Sequence, residues 1–132
     1  MEISTHTISI VPRYCETDQA GVVHHGAYPA WLEMGRTELL RANGYAYRDL
    51  ERSGVGFVVV ELSIRYKRPA FYDEELKLTT TCTGITSARV EHEYVLKHGQ
   101  TGVIVAEGRT VLACVDRQGK LRRVPDFMLG GS

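Results

Sequence analysis

Three stretches in the second half of the chain alternate between apolar and polar residues, and a fourth is apolar throughout. The alternating stretches are 58–66, 76–82 and 90–96, and the apolar stretch is 103–115. A period of two is that of a β-strand with one buried face, and an unbroken apolar run fits a strand covered on both faces. Gly108, inside the last run, indicates a bend or a bulge. Direct connections between these strands predict an antiparallel sheet.

A helical period occupies residues 28–42. Its apolar residues recur every three or four positions and form one broad stripe: Tyr28, Trp31, Leu32, Gly35, Leu39 and Ala42. Such a stripe predicts an amphipathic helix that covers one face of the sheet. Pro29 fits only in the first turn of this helix, and Asn43 followed by Gly44 is a typical helix end. The alternating residues 1–10 predict one further strand before the helix.

The opposite face of the predicted sheet also carries apolar residues. Examples are Val59, Val95, Ile104 and Leu112. The sequence predicts no second helix to cover them, and an exposed apolar patch of that extent is unusual on a monomer. We therefore expect a partner subunit to cover this face.

Composition and charge predict a single globular domain spanning 1–132. The chain has 132 residues, with 16 Lys and Arg and 16 Asp and Glu, so its formal net charge is zero. This balance does not indicate binding to nucleic acid or to an anionic membrane, and no stretch is apolar enough to span a bilayer. The last residues, 129–132, are expected to form a flexible tail. Three widely spaced cysteines, Cys15, Cys82 and Cys114, favour reduced thiols and a cytoplasmic location.

Asp18 lies in a turn-rich loop just before the predicted helix. Backbone N–H groups at a helix N-terminus favour negative charge. A carboxylate beside them is therefore suited to acyl chemistry, in which a carbonyl oxygen becomes an oxyanion. A structural role is the alternative, because an aspartate in such a loop often accepts hydrogen bonds in an Asx-turn or as a helix N-cap.

The residues around Asp18 raise two further hypotheses. His24 and His25, with Glu16 and Asp18, are of metal-ligand types, but their spacing matches no metal motif, so we expect no metal site. One histidine is instead expected to pack or hydrogen-bond at the helix entry, and the other to face the pocket. Cys15 is close enough to be a nucleophile, yet nothing near it in the sequence clearly activates its thiol, so this role is disfavoured.

The segment 14–25 carries a recognisable motif, YCETDQAGVVHH. It is followed on the predicted helix by Tyr28, Glu33, Arg36 and Glu38. With the later YKRPA at 66–70, this pattern closely resembles the signature of the 4-hydroxybenzoyl-CoA thioesterase family, in its YbgC-like branch. The resemblance extends from about residue 6 to residue 127. It implies an α+β hotdog fold, in which an antiparallel five-stranded sheet wraps around one long central helix, and a homodimer or a dimer of dimers (a homotetramer).

The same resemblance implies an acyl-CoA thioesterase. Asp18 stands at the position of the family's catalytic aspartate, which acts on the thioester either by attacking its carbonyl carbon or as a general base for water. The backbone N–H of His25 or Gly26 would polarise the carbonyl oxygen. Hydrolysis of this kind needs no metal or redox cofactor, and CoA is part of the substrate. The acyl group stays open between aromatic, short-chain and medium-chain acids.

Coenzyme A carries phosphates, so an enzyme of this type needs cations at its pocket mouth. The candidates, each of which equally fits a solvated strand face, are Arg65, Lys67, Arg68 and Arg89. Tyr28 is expected to belong to the core or to line the acyl pocket. Glu33 and Arg36 are expected to form an intrahelical ion pair, but some related thioesterases use a helix glutamate, so Glu33 in the pocket is the alternative. An acyl carrier protein can replace CoA as the carrier.

Two other classes of protein compete with the thioesterase hypothesis. A hotdog hydratase or dehydratase acts on the same thioesters, but it needs a well-placed histidine with an acidic partner, and its usual motifs are absent from this sequence. A non-catalytic acyl-CoA or acyl-carrier binding module would keep the pocket and the cations without using Asp18. Hydrolysis that survives Asp18→Ala but not mutation of a histidine favours the first class. Tight binding of acyl-CoA without turnover favours the second.

Overall fold

The computed structural model describes residues 2–129, and its largest element is one antiparallel sheet of five strands. The strands lie in the order β1-β3-β4-β5-β2. Their bounds are Thr5–Ile10 for β1, Val55–Tyr66 for β2, Leu76–Ile85 for β3, Arg89–His98 for β4 and Ile104–Asp116 for β5. The predicted antiparallel sheet is confirmed, and each stretch predicted as a strand overlaps one of these five.

One long helix, α1 (Tyr28–Ala42), packs against one face of the sheet. Pro29 lies in its first turn, as predicted. Gly44 follows the helix with a φ of 88°, the left-handed conformation that ends many helices. The predicted apolar stripe is buried at Tyr28, Trp31, Leu32, Gly35 and Leu39. The predicted α+β class, with five strands around one long helix, is confirmed.

Two short helices are not predicted by the sequence pattern. They are α2 (Tyr47–Arg52) and α3 (Asp126–Leu129), which bury Leu50 and Met128 respectively. Both helices are too short to display a helical period. Leu50 packs in one core cluster with Leu40 and with Leu112 of β5. The prediction that Leu112 lies on an uncovered face of the sheet is therefore wrong.

An extra residue in β2 shifts the alternation of its side chains. Val59 and Glu61 pair with consecutive residues of β5, so Val60 forms a β-bulge. Because of the bulge, Phe57 and Ile64, which are an odd number of residues apart, both pack against the core. The strict alternation predicted along this strand is therefore wrong.

Two glycines allow α1 to lie close to the sheet. A Cβ at Gly35 would lie 2.9 Å from Cδ2 of Leu78 and closer still to Oγ1 of Thr80. A Cβ at Gly108 would lie 3.3 Å from Cδ1 of Leu32. Gly108 keeps a continuous register with both neighbouring strands, so the bulge predicted there is wrong. A Cβ at this position would also lie 3.3 Å from the backbone carbonyl oxygen of Ser63, so glycine favours the close packing here.

The outer face of the sheet and the edge strand β2 are open to solvent in the single chain. On the outer face, Arg109 forms ion pairs with Glu61 and Glu91, so this face carries charged as well as apolar residues. Along the edge, the apolar side chains exposed to between 45% and 46% are Val58, Val59, Val60 and Leu62. An exposed apolar edge strand offers unpaired backbone groups to a second strand.

The end of the chain is described only in part. Leu129 ends α3, and residues 130–132 of the predicted tail lie outside the described residues. Within residues 2–129, no helix is both long enough and apolar enough to cross a bilayer.

Candidate active site

The loop that carries Asp18, residues 14–24, connects β1 to the start of α1 and is closed by its own backbone. Thr17 and Val23 form an antiparallel bridge. Inside it, the N–H of Asp18 donates to the carbonyl of Val22 over 2.8 Å, and the N–H of Gly21 donates to the carbonyl of Asp18 over 3.0 Å. Gly21 has a φ of 79°, which non-glycine residues rarely adopt. This tight turn, called here the Asp18 loop, fixes the position of the aspartate.

The carboxylate of Asp18 uses one oxygen for the turn. Its Oδ1 accepts hydrogen bonds from the N–H groups of Ala20, over 2.9 Å, and Val22, over 3.2 Å. The Asx-turn that the sequence allows is therefore present, whereas the N-cap role is not. The other oxygen, Oδ2, accepts no hydrogen bond from residues 2–129, and the side chain is exposed. The turn holds this carboxylate in place and leaves one oxygen available for chemistry.

The chain enters α1 through a short 3₁₀ turn, His25–Ala27. Nδ1 of His24 accepts a hydrogen bond from the N–H of Gly26 over 3.0 Å, so His24 is the histidine that caps the helix entry. In the described part of the chain, the N–H of His25 has no acceptor. The two imidazole rings stack with their centroids 4.3 Å apart. Of the two backbone N–H groups predicted to polarise a carbonyl oxygen, that of Gly26 is therefore already bonded to His24. That of His25 has no partner within residues 2–129.

Tyr66, at the end of β2, connects the helix entry to the core. Its hydroxyl donates to the backbone carbonyl of His25 over 3.0 Å. Its ring packs edge to face against Tyr28, with centroids 4.9 Å apart, and Tyr28 in turn contacts Trp31. Burial raises the pKa of Tyr28, and the neighbouring Tyr66 adds to the rise. Tyr28 is therefore a core residue, which confirms one of the two predictions for it. It also lines a narrow apolar cavity beneath α1, together with Leu32, Ile64, Tyr94 and Gly108.

Glu16 is a site residue for which the sequence pattern predicts no separate role. Its Oε2 accepts a hydrogen bond from the indole N–H of Trp31 over 2.7 Å, and its Oε1 accepts one from the backbone N–H of Arg13 over 2.8 Å. Burial by itself would raise the pKa of Glu16, but the hydrogen bonds from Arg13 and Trp31 outweigh burial and lower this pKa. The three-residue spacing from Arg13 to Glu16 is a detectable signal. The contact with Trp31 becomes visible only in the fold.

Three further predictions concern a metal site, the thiol of Cys15 and the ion pair between Glu33 and Arg36. Glu16 is committed to Arg13 and Trp31, and no group of three metal-ligating side chains occurs within residues 2–129. Cys15 is exposed and forms no disulfide. Arg36 and Glu33 lie 3.8 Å apart, so the predicted pair exists, but at a distance too long for a hydrogen bond.

The predicted cations fall into two groups. Arg65, Lys67 and Arg68 lie together where β2 ends, and Lys67 forms an ion pair with Glu107 over 3.1 Å. Arg89 begins β4 at the other end of the sheet. Arg65 pairs with residue 107 of β5 and Arg89 with residue 113, a separation of about 20 Å along the strand. Within one chain, Arg89 therefore does not join the other three.

Comparison with known proteins agrees with this architecture. The family model described as the thioesterase-like superfamily matches residues 12–130. The chain is 33% identical to YneP of Bacillus subtilis (strain 168), over 89% of this chain and 83% of that protein. It is 32% identical to the acyl-CoA thioesterase YbgC of Haemophilus influenzae, over 84% of this chain and 80% of that one. The solved structure of the DHNA-CoA thioesterase from Staphylococcus aureus is similar with a TM-score of 0.86 and 31% identity, over 90% of this chain and 80% of that chain.

The sheet and the central helix therefore form a hotdog fold, and the relatives identify the chain as a hydrolase that acts on thioester bonds, as predicted. The chain belongs to the thioesterase-like superfamily.

Proposed function

We propose that this protein hydrolyses acyl-CoA thioesters and that Asp18 is its catalytic carboxylate. The observation that carries the proposal is the state of this side chain: Oδ1 is fixed by two backbone N–H groups, and Oδ2 is exposed and unbonded within residues 2–129. The acyl-CoA thioesterase named among the relatives supports the choice of substrate class.

Two chemical routes are consistent with this geometry. In the first, Oδ2 of Asp18 forms a bond to the thioester carbonyl carbon, the CoA thiolate leaves and takes up a proton, and water cleaves the resulting anhydride. In the second, Asp18 removes a proton from water, the water oxygen attacks the carbonyl carbon, and the thiolate again leaves and is protonated. Both routes give one carboxylic acid and free CoA. Neither uses a metal or a redox cofactor.

The helix entry is proposed to stabilise the oxyanion. The N–H of His25, which has no acceptor in the described chain, is the donor that we assign to the thioester oxygen. The N–H of Gly26 becomes a second donor only if the His24 ring turns away from it. One such donor typically lowers the barrier by about 3 to 4 kcal/mol, so the helix entry contributes substantially.

The phosphates of CoA are assigned to the cations at the end of β2. Within residues 2–129, Arg65 and Arg68 have no carboxylate within 4.0 Å, whereas Lys67 is partly neutralised by Glu107. The two arginines are therefore the stronger candidates for binding CoA. Arg89 can join them only from a second subunit, because it lies far along the sheet in its own chain.

A homodimer is part of the same proposal. The edge strand β2 exposes apolar side chains and unpaired backbone groups, so pairing with β2 of a second copy would extend the sheet and bury them. Two dimers can pair further into a tetramer. A cytoplasmic location is also proposed, because all three cysteines of the described chain are free.

The test of the proposed activity is the release of free thiol from a panel of aromatic and straight-chain acyl-CoAs, with an acyl carrier protein thioester included to identify the carrier. The proposal predicts turnover of at least one member of the panel. Tight binding of acyl-CoA without thiol release would indicate a binding module instead. Hydration of an unsaturated acyl-CoA without thiol release would indicate a hydratase.

A further inference from the structure

A large cavity lies beside α1, between this helix, α2 and the strands β2 and β5. Its volume is about 430 Å³. Its lining residues are Glu33, Arg36, Thr37, Tyr47, Leu50, Glu51, Gly56, Phe57 and Leu112. A much smaller space of about 10 Å³ shares Arg36, Tyr47, Phe57 and Leu112 with this lining and is also lined by His92 of β4. We call the larger of the two spaces the Arg36 cavity. It is separate from the narrow apolar space beneath Tyr28.

Arg36 is a cation with little compensation. Its side chain is only 10% exposed. The one carboxylate within 4.0 Å in the described chain is that of Glu33, at 3.8 Å, and the side chain of Glu33 is 71% exposed. That distance is too long for a hydrogen bond, and an exposed pair is screened by water. A buried guanidinium is costly unless an anion meets its fork of N–H donors, so the Arg36 cavity favours an anion.

His92 supplies a second and independent indication of a ligand. The residue is 4% exposed, and its Nδ1 has no hydrogen-bond partner. Burial, assisted by the charge of Arg36, lowers the pKa of His92 to about 4, so the ring is neutral at neutral pH. The hydroxyl of Tyr47, which lies beside Arg36, can hydrogen-bond to a carboxylate in the Arg36 cavity, and the neutral imidazole of His92 can be joined to it through one water in the smaller space. Buried polar atoms without partners are rare in folded proteins and call for an explanation.

We propose that the Arg36 cavity binds a carboxylate at the far end of the acyl group, so that the enzyme prefers ω-carboxyacyl thioesters. Arg36, Thr37 and Tyr47 match the carboxylate, and Leu50, Phe57 and Leu112 match an apolar chain that carries it. Glu33 and Glu51 also line the cavity and repel an anion, so the proposal requires Arg36 to meet the carboxylate at closer range than they do. This inference rests on the proposed thioesterase function, because it names the acyl group.

The position of the cavity sets the range of chain lengths to test. Arg36 follows Tyr28 by eight residues on α1, or about 12 Å along the helix axis. Phe57 in the lining belongs to the edge strand β2, so the cavity lies beside the strand that is proposed to meet the second subunit. The distance from a thioester at Asp18 to Arg36 depends on which subunit supplies the acyl group, so several chain lengths have to be compared.

The experiment measures kcat/KM for ω-carboxyacyl-CoAs of about four to ten carbons, each paired with the unsubstituted acyl-CoA of the same length. We expect the wild type to prefer the carboxylated member at least tenfold at one length. In Arg36→Gln that ratio should fall at least tenfold, and Arg36→Lys should restore part of it. The matched control is Arg41→Gln on the same helix, whose arginine is 59% exposed and paired with Glu38. It should keep the wild-type ratio.

A binding measurement separates this inference from the proposed activity. Pimelate, a free dicarboxylate, is titrated into the wild type while the NMR signals of the His92 ring are followed. A saturable shift of these signals, absent in Arg36→Gln, supports the anion site even if no thioester is hydrolysed. Hydrolysis of plain acyl-CoAs without any preference for the carboxylated partners, and with no response of His92 to pimelate, overturns the inference but leaves the thioesterase intact.

Discussion

The carboxylate of Glu16 joins the Asp18 loop to both of its flanks, since one oxygen bonds to Arg13 and the other to Trp31 of α1. Hydrogen bonds to a charged group are each worth about 1.5 to 3 kcal/mol. Glu16 therefore holds the Asp18 loop against the helix that we assign to oxyanion stabilisation, and its proposed role is to position this loop.

We expect Glu16→Gln to lower the free energy of unfolding by about 1 to 3 kcal/mol, because a neutral amide replaces a carboxylate that accepts hydrogen bonds from the backbone and guanidinium of Arg13 and from the indole of Trp31. Urea unfolding measures this loss. The matched control is Glu38→Gln, which removes an ion pair to Arg41 on the exposed side of α1 and should cost well under 1 kcal/mol. Equal losses in both variants would contradict the role given to Glu16.

His92 predicts a pH dependence of stability. The pKa of His92 is lowered from 6.5 to about 4 in the folded protein. As the pH falls below 6.5, the imidazole of His92 therefore binds a proton in the unfolded chain but not in the folded chain. The free energy of unfolding declines as a result until the pH reaches about 4. The contribution lost over this interval is about 3 kcal/mol. Urea unfolding between pH 7 and pH 4 should show a smaller decline in His92→Gln than in the wild type. The same decline in both proteins would exclude His92 as its source.

At the scale of the elements, the contact between α1 and the sheet depends on Gly35. A glycine inside an exposed helix normally gains about 1 kcal/mol of stability on replacement by alanine. Here the new methyl group would collide with Leu78 and Thr80 of β3. We expect Gly35→Ala to destabilise the fold by about 1 to 3 kcal/mol, as overpacking does. Thermal unfolding tests this sign. Gly84→Ala, where the nearest atom is 4.0 Å from the new Cβ, is the matched control and should change stability little.

The elements differ in how well the sequence predicts them, for physical reasons. The helix α1 has fifteen residues with a regular apolar stripe and clear end signals, so its bounds follow from the pattern. In β2, the bulge at Val60 depends on pairing with β5, and no local residue marks it. A glycine inside a strand predicts a bend or a bulge, whereas at Gly108 the structure shows close contacts with the side chain of Leu32 and the carbonyl of Ser63 that no local pattern reveals.

At the scale of the whole molecule, the proposed dimer makes the edge of β2 its interface. A two-fold axis through this strand would bring equivalent side chains near Val60 close together, so a charge there would repel its own copy. We expect Val60→Glu to shift the protein to monomers in analytical ultracentrifugation. Val103→Glu is the matched control, because Val103 is exposed to a similar degree, 40% against 45%, but lies outside the edge strand. A dimer that persists in Val60→Glu would place the interface elsewhere.

The candidate site is only partly predictable from the sequence, because its parts come from distant segments. The Asp18 loop follows from local turn chemistry, and both the Asx-turn and the cap at His24 lie within a few residues of each other. The free oxygen of Asp18 cannot be inferred without the folded turn. The separation of Arg89 from Arg65 depends on strand register. The Arg36 cavity also exists only once α2 and β2 are in place beside α1.

The most direct test of the central claim is the kcat/KM for the best acyl-CoA substrate in Asp18→Asn. The change is nearly isosteric but removes the charge that either route requires. Its matched control is Asp126→Asn, which alters an aspartate whose side chain is 92% exposed in α3. The account predicts a loss of at least a hundredfold in Asp18→Asn and none in the control, with fold and oligomer unchanged in both. Equal activity of Asp18→Asn and wild type would contradict it.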